Sequence, residues 1–161
     1  MTTISRREMC LSVLASTGIA MSHVAFGQNA PDSPVVTPGT GTVGPARAIT
    51  LEQMQERRTA TGESWAVAHG TLPTGETVNL HASMQHVGAP AVQLHVIHHS
   101  EFILVREGEL EFHHEVEGKV ISERASAGSV LYIPYGTRHA VRNVGSVPAH
   151  YLVVGIGGDA K

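Results

Sequence analysis

The chain has 161 residues, of which 42% are apolar and 16% charged, and a formal net charge of −3. That is one ordinary domain with enough aliphatic material for a core, too short for two comfortable domains and too apolar for a disordered chain. No Lys/Arg cluster occurs after residue 10, so the concentrated positive face that nucleic acid requires is missing. Histidine is the compositional outlier, with 11 residues mostly between His69 and His139.

The stretch Ser5-Arg6-Arg7-Glu8-Met9-Cys10-Leu11 resembles a twin-arginine export signal. An apolar run follows from Leu11 to about Phe26, too short and too rich in small residues for a membrane span. Ala25 and Gly27 are small residues at the two positions a signal peptidase reads, which places cleavage after Gly27, with Ala30 the second choice. Residues 1–27 are therefore expected to be an export signal, and the mature protein periplasmic or secreted with no stable membrane span. Cys10 is the only cysteine, so no disulfide can staple the mature chain.

Residues 28–46 are rich in Pro, Gly, Thr and Ser and read as a flexible linker. The remaining span, 47–161, is expected to be a single domain. It opens on the one predicted helix, Thr50 to Arg58, where Thr50 can cap and Gln53 stands three residues on, as in a capping box.

From Ser64 onward the texture is that of strands. Ser64–His69, Thr77–Met84, Ala91–Ile97, Glu101–Arg106, Glu109–Glu115, Lys119–Arg124, Val130–Ile133, Arg138–Asn143 and His150–Ile156 are short apolar-alternating runs. Turn chemistry separates them at Pro73–Gly75, Gly108, Gly118, Gly128, Gly136 and Gly145. Many short strands with Gly-rich turns predict an all-β sandwich or barrel. Leu110 and Phe112 alternate with Glu109, Glu111 and His113; His113 and His114 read as hairpin surface residues. His69, His81 and His86 have no carboxylate or second imidazole nearby in sequence and read as structural.

The chemistry concentrates in two stretches. The first runs from His95 through His98 and His99 to Glu101 and Gly108; the second joins Gly128, Pro134, Gly136, His139 and Asn143. Neutral imidazoles with a carboxylate are ligand chemistry for a divalent transition metal. The second stretch resembles the second motif of the cupin superfamily at every spacing, with Ser129 in place of the frequent Asp. The first resembles the first cupin motif, with His95 and Glu101 at allowed spacing, but Ile97 stands where the second ligand His belongs. Either His98 or His99 takes its place: in an unbroken strand residues 95, 97, 99 and 101 share a face, which favours His99, whereas a bend favours His98.

The resemblance implies a cupin-type double-stranded β-helix, or jelly-roll barrel, in which His95, His99, Glu101 and His139 hold one divalent ion (Fe, Mn, Zn, Ni or Cu). It implies a small-molecule substrate with dioxygenase or isomerase/lyase chemistry; the alternative is a non-catalytic small-ligand or metal-binding protein. A homodimer is a further expectation, since cupins often dimerise. Tyr132 reads as either pocket-lining or core, and Arg106 and Arg138 are the only cations beside the motifs.

Overall fold

A computed structural model of the chain describes residues 41–90 and 93–158. The export signal and most of the linker lie outside the described residues, as does the start of the predicted strand at Ala91. Ten strands follow one 3₁₀ turn: β1 Gln55–Arg58, β2 Gly62–Thr71, β3 Thr77–Gln85, β4 His95–Val96, β5 Ser100–Glu107, β6 Glu109–Val116, β7 Lys119–Ser126, β8 Val130–Ile133, β9 Arg138–Asn143 and β10 Ala149–Ile156. They form a six-stranded sheet in the order β1-β2-β3-β10-β5-β8 and a four-stranded sheet in the order β4-β9-β6-β7, with every ladder antiparallel. Among the described residues no helix is long and apolar enough to cross a membrane.

The predicted helix over 50–58 is not formed. Gln53 Oε1 does accept the Thr50 N–H at 3.0 Å, but only the 3₁₀ turn Leu51–Gln53 results. Gln55–Arg58 instead pair with Glu63–Ala66 as an edge strand. Four residues gain a hydrogen-bonded partner strand there, whereas an isolated helix of two turns is marginal in water, so tertiary pairing overrides the local signal.

Alternation decides which side chains face inward. On the six-stranded sheet Glu101, Ile103 and Val105 of β5 are buried beside Gly155, Val153 and Tyr151 of β10. On the four-stranded sheet Leu110 and Phe112 of β6 face the same interior beside Asn143 and Val141 of β9. The two inner faces form one core, in which Leu110 and Ile133 are completely buried. Each such side chain contributes about 1.5–3 kcal/mol by leaving water.

A polar tie joins the sheets at one end. Asn143 Nδ2–H donates to the Gln85 carbonyl (3.1 Å) and to the Val147 carbonyl (2.8 Å), while the Gln85 side-chain oxygen accepts the Asn143 N–H (2.8 Å). The last residue of the second motif is thus a structural clamp between β3, β9 and the turn after it. Tyr151 shares the network through Gln85 Nε2 at 3.3 Å.

Candidate metal centre

Glu101 opens the buried face of β5 and is 8% exposed; His139, at the start of β9, is 2% exposed. Their elements belong to opposite sheets, and the turn between β8 and β9 brings them together. Gly136, with φ +77°, takes the left-handed conformation there, and its N–H donates to the Ile97 carbonyl at 3.0 Å. The Tyr135 N–H donates to Ser100 Oγ at 3.2 Å. Two main-chain donors of the second motif therefore hold the first motif in place.

His139 has one nitrogen committed. Its Nδ1–H donates to the Thr137 carbonyl at 3.3 Å, which leaves Nε2 facing Glu101 Oε2 across 3.6 Å. In that neutral tautomer both facing atoms are acceptors, and the gap is too long for a hydrogen bond. Only a proton on Nε2 or a cation between the two atoms makes the arrangement favourable. On the other carboxylate oxygen, His99 Nε2–H donates to Glu101 Oε1 at 2.7 Å. Burial pushes the Glu101 carboxyl up, but the His139 and His99 imidazoles outweigh it and hold the group below its ordinary value. A buried anion between two imidazoles results.

The chain bends between β4 and β5, so residues 95 to 101 do not share one face. His95 pairs with His139 across β4 and β9, and the two rings lie 4.7 Å apart at 45°. Ile97 is buried in the core, His98 points outward against Tyr135, and His99 folds back onto Glu101. Gly155 makes that return fit. A Cβ at 155 would stand 2.8 Å from His99 Cδ2 and 3.0 Å from its Nε2, so the ring lies in space that any side chain would fill. Gly155 is also the β10 residue paired with Glu101.

Of the four predicted ligands, His99 and His139 contact Glu101 inside the barrel, whereas His95 is exposed on β4 and touches the group only through the His139 ring. As the side chains stand, no group of three His, Cys, Asp or Glu among the described residues is arranged to hold an ion. The donor types nevertheless fit a divalent ion, and so does the placing of His139 Nε2 and Glu101 Oε2 face to face at 3.6 Å.

Three residues were missed by sequence reasoning. His114 is an inward residue, not a hairpin surface residue: it pairs with His139 on β9, so His95, His139 and His114 form one row across the four-stranded sheet. The parity of Leu110 and Phe112 already carries that signal. His81 is mostly buried on β3, where burial lowers its proton affinity, Glu101 raises it and His99 lowers it. A single strand histidine carries no sequence signal for such a place. Gly155 carries none either. His113 does face outward, bonded to Glu111 at 3.0 Å, and Tyr132 stacks on Phe102 on the outer face at 5.0 Å. Arg138 is exposed and pairs with Glu115 at 3.5 Å.

Residues 83–155 match the family described as cupin domain. Among solved structures the chain resembles a mutant of Bacillus subtilis oxalate decarboxylase, with TM-score 0.59 and 19% identity over 73% of this chain and 32% of that one. The same enzyme in a structure concerned with its Mn(II) centres gives the same figures: TM-score 0.59, 19% identity, 73% and 32%. The Lactobacillus farciminis oxalate decarboxylase formate complex follows with TM-score 0.57, 18% identity, 67% of this chain and 32% of that one. The chain spans about a third of the length of the structures it matches. No curated protein matches the sequence significantly. The fold is the cupin-type double-stranded β-helix.

Proposed function

We propose that this cupin-fold chain binds one divalent metal ion at His95, His99, Glu101 and His139 and acts there on a small organic molecule. The observation that carries the reading is the His139–Glu101 pair, two buried groups whose Nε2 and Oε2 face each other at 3.6 Å, beyond direct hydrogen-bond distance. The Thr137 carbonyl fixes the tautomer of His139, which orients its free nitrogen toward the carboxylate. Glu101 supplies the negative charge that offsets the ion, and its burial excludes competing water. For His99 to join, its hydrogen bond to Glu101 is exchanged for a bond to the ion, with the ring kept over Gly155. When bound, such an ion supplies Lewis-acid polarisation of a substrate oxygen. Dioxygenase and isomerase or lyase chemistry both fit this donor set, and likeness to decarboxylases at below 20% identity does not choose between them. His/carboxylate ligation leaves Fe, Mn, Zn, Ni and Cu as candidates.

The proposal includes export under the twin-arginine-like leader to the periplasm or medium. It includes homodimerisation, for which exposed Phe102, Val130 and Tyr132 supply apolar surface. A second reading, a non-catalytic binding barrel, is favoured by the 2.7 Å bond that satisfies His99 and Glu101 without an ion. Stoichiometric metal binding by titration calorimetry tests the site itself: His139→Ala should abolish it and His113→Ala should leave it intact. Equal binding by both variants would remove the site. Metal-dependent turnover of diketones, phenols or keto acids then separates catalysis from binding.

A further inference from the structure

One row of paired residues crosses the inner face of the six-stranded sheet. His69 on β2 stands opposite Asn79 on β3, Asn79 opposite Gly155 on β10, and Gly155 opposite Glu101 on β5. Directly paired residues point to the same side of a sheet, so His69 and Asn79 share the face of the buried Glu101. The register shift between Ala66 and Ala68 is what turns His69 to that side. Beside this row lies a cavity of about 390 Å³, with His69, Thr77 and Asn79 on one wall and His98, His99 and Tyr135 elsewhere in its lining. His99 joins the cavity to the candidate centre, because its ring lies over Gly155 and bonds Glu101 at 2.7 Å. A Cβ at 155 would also stand 3.5 Å from Asn79 Cβ, so Asn79 and the His99 ring flank one spot.

The wall offers hydrogen-bonding groups that the fold does not use. His69, Thr77 and Asn79 are half-buried and make no side-chain hydrogen bond among the described residues, yet none of their polar atoms is fully shielded. They are within reach of a ligand's oxygens. Charge then selects the class of ligand. Among the described residues no Asp, Glu, Lys or Arg lines the cavity, and Glu101 lies outside the lining, bonded by His99. A carboxylate would leave water with no cation of the wall to meet it, and an ammonium with no anion. Imidazole, hydroxyl and amide groups donate and accept, which matches neutral hydroxyl and carbonyl oxygens. Spacing sets their number. Paired strand residues hold their Cβ atoms about 4.5–5.5 Å apart, and Thr77 and Asn79, two apart on one strand, are separated by about 6–7 Å. One oxygen cannot serve all three side chains, whereas two oxygens a few carbons apart span them.

We infer that this cavity is the binding site for an uncharged small molecule carrying two or more hydroxyl or carbonyl oxygens, held by His69, Thr77 and Asn79 beside His99. The inference rests on the proposed centre for the ligand's chemical fate, but not for its binding; of the substrates named above it selects diketones over keto acids and phenols. The test uses sorbitol, gluconate (the same six-carbon chain ending in a carboxylate) and hexanol (the same length with a single hydroxyl). Each is titrated into the full chain without added metal and followed by the His69 ring and Asn79 side-chain amide signals in NMR. Sorbitol should shift both residues, while gluconate leaves them in place and hexanol binds several-fold more weakly. His69→Phe keeps a ring of similar outline and removes its nitrogens; read at Asn79, it should weaken sorbitol about threefold to tenfold, as loss of one neutral hydrogen bond implies. His113→Ala, on the outer face, should bind sorbitol as the unaltered chain does. Gluconate or hexanol binding as tightly as sorbitol, sorbitol failing to shift these signals at millimolar concentration, or His69→Phe binding sorbitol unchanged would each overturn the inference. Sorbitol binding by a chain that takes up no metal would sink the metal reading and leave this one standing; metal uptake without sorbitol binding does the reverse.

Discussion

Gly155→Ala isolates the contact that seats His99. The new Cβ would lie 2.8 Å and 3.0 Å from two atoms of the His99 ring, and the next neighbour, Asn79 Cβ, is at an ordinary 3.5 Å. Gly155 is not among the glycines with positive φ, so the strand backbone accepts alanine and the ring is what must move. Two opposed terms follow. Alanine in a strand gains roughly 0.5–1 kcal/mol over glycine. Displacing the ring forfeits a charge-assisted hydrogen bond of about 1.5–3 kcal/mol. The second term wins, so the variant should be less stable by about 1 kcal/mol, measured by urea denaturation at neutral pH. In a His99→Ala background the ring is gone and only the favourable term is left, so the same substitution should become neutral or stabilising. Metal affinity of Gly155→Ala should fall to that of His99→Ala, with no further loss in the double variant. Equal destabilisation by Gly155→Ala in both backgrounds would refute the claim that His99 occupies the space above it.

Asn143→Ala removes two side-chain donors from the buried tie between β3, β9 and the Val147 turn, and should cost about 3 kcal/mol in denaturant unfolding while metal bound per folded molecule stays unchanged. Arg142 Nε–H donates to Glu111 at 2.6 Å; the Arg142 side chain first, against burial and with help from His113, holds the Glu111 carboxyl below its ordinary value. Because that folded value is depressed, the stability it contributes is present above the unfolded carboxyl pKa of about 4.3 and is lost as pH falls through the lower folded value. Arg142→Gln should therefore flatten the acid limb of stability against pH in that window; an unchanged limb would contradict the pairing.

The strands were legible because glycine turns punctuate them and alternation marks their inner faces. Val130–Ile133 and Arg138–Asn143 form over the residues predicted, and the others differ at their ends. The helix over 50–58 was misread because a capping box reports local preference, whereas Gln55–Arg58 find a partner strand at Glu63–Ala66. Around the centre, it was the resemblance of the two stretches to the cupin motifs that set His139 beside Glu101, and the structure places them on facing sheets. What placed His99 was not strand parity, since the chain bends after Val96 and residues 95 and 101 lie on different sheets. It was the missing side chain at Gly155, more than fifty residues away in the chain, and no local pattern reports such a complement. His114 is the opposite case: its parity with Leu110 and Phe112 was readable, and nearness to a hairpin turn drew it to the surface in error.

Elemental analysis of the mature protein, purified anaerobically without an affinity metal, tests the central claim most directly. About one equivalent of Fe, Mn, Zn, Ni or Cu per chain is expected, absent from His139→Ala and retained by His113→Ala. No metal in the unaltered protein and no uptake on titration would contradict it, and would make the His99–Glu101 bond the resting state of a barrel that works without an ion.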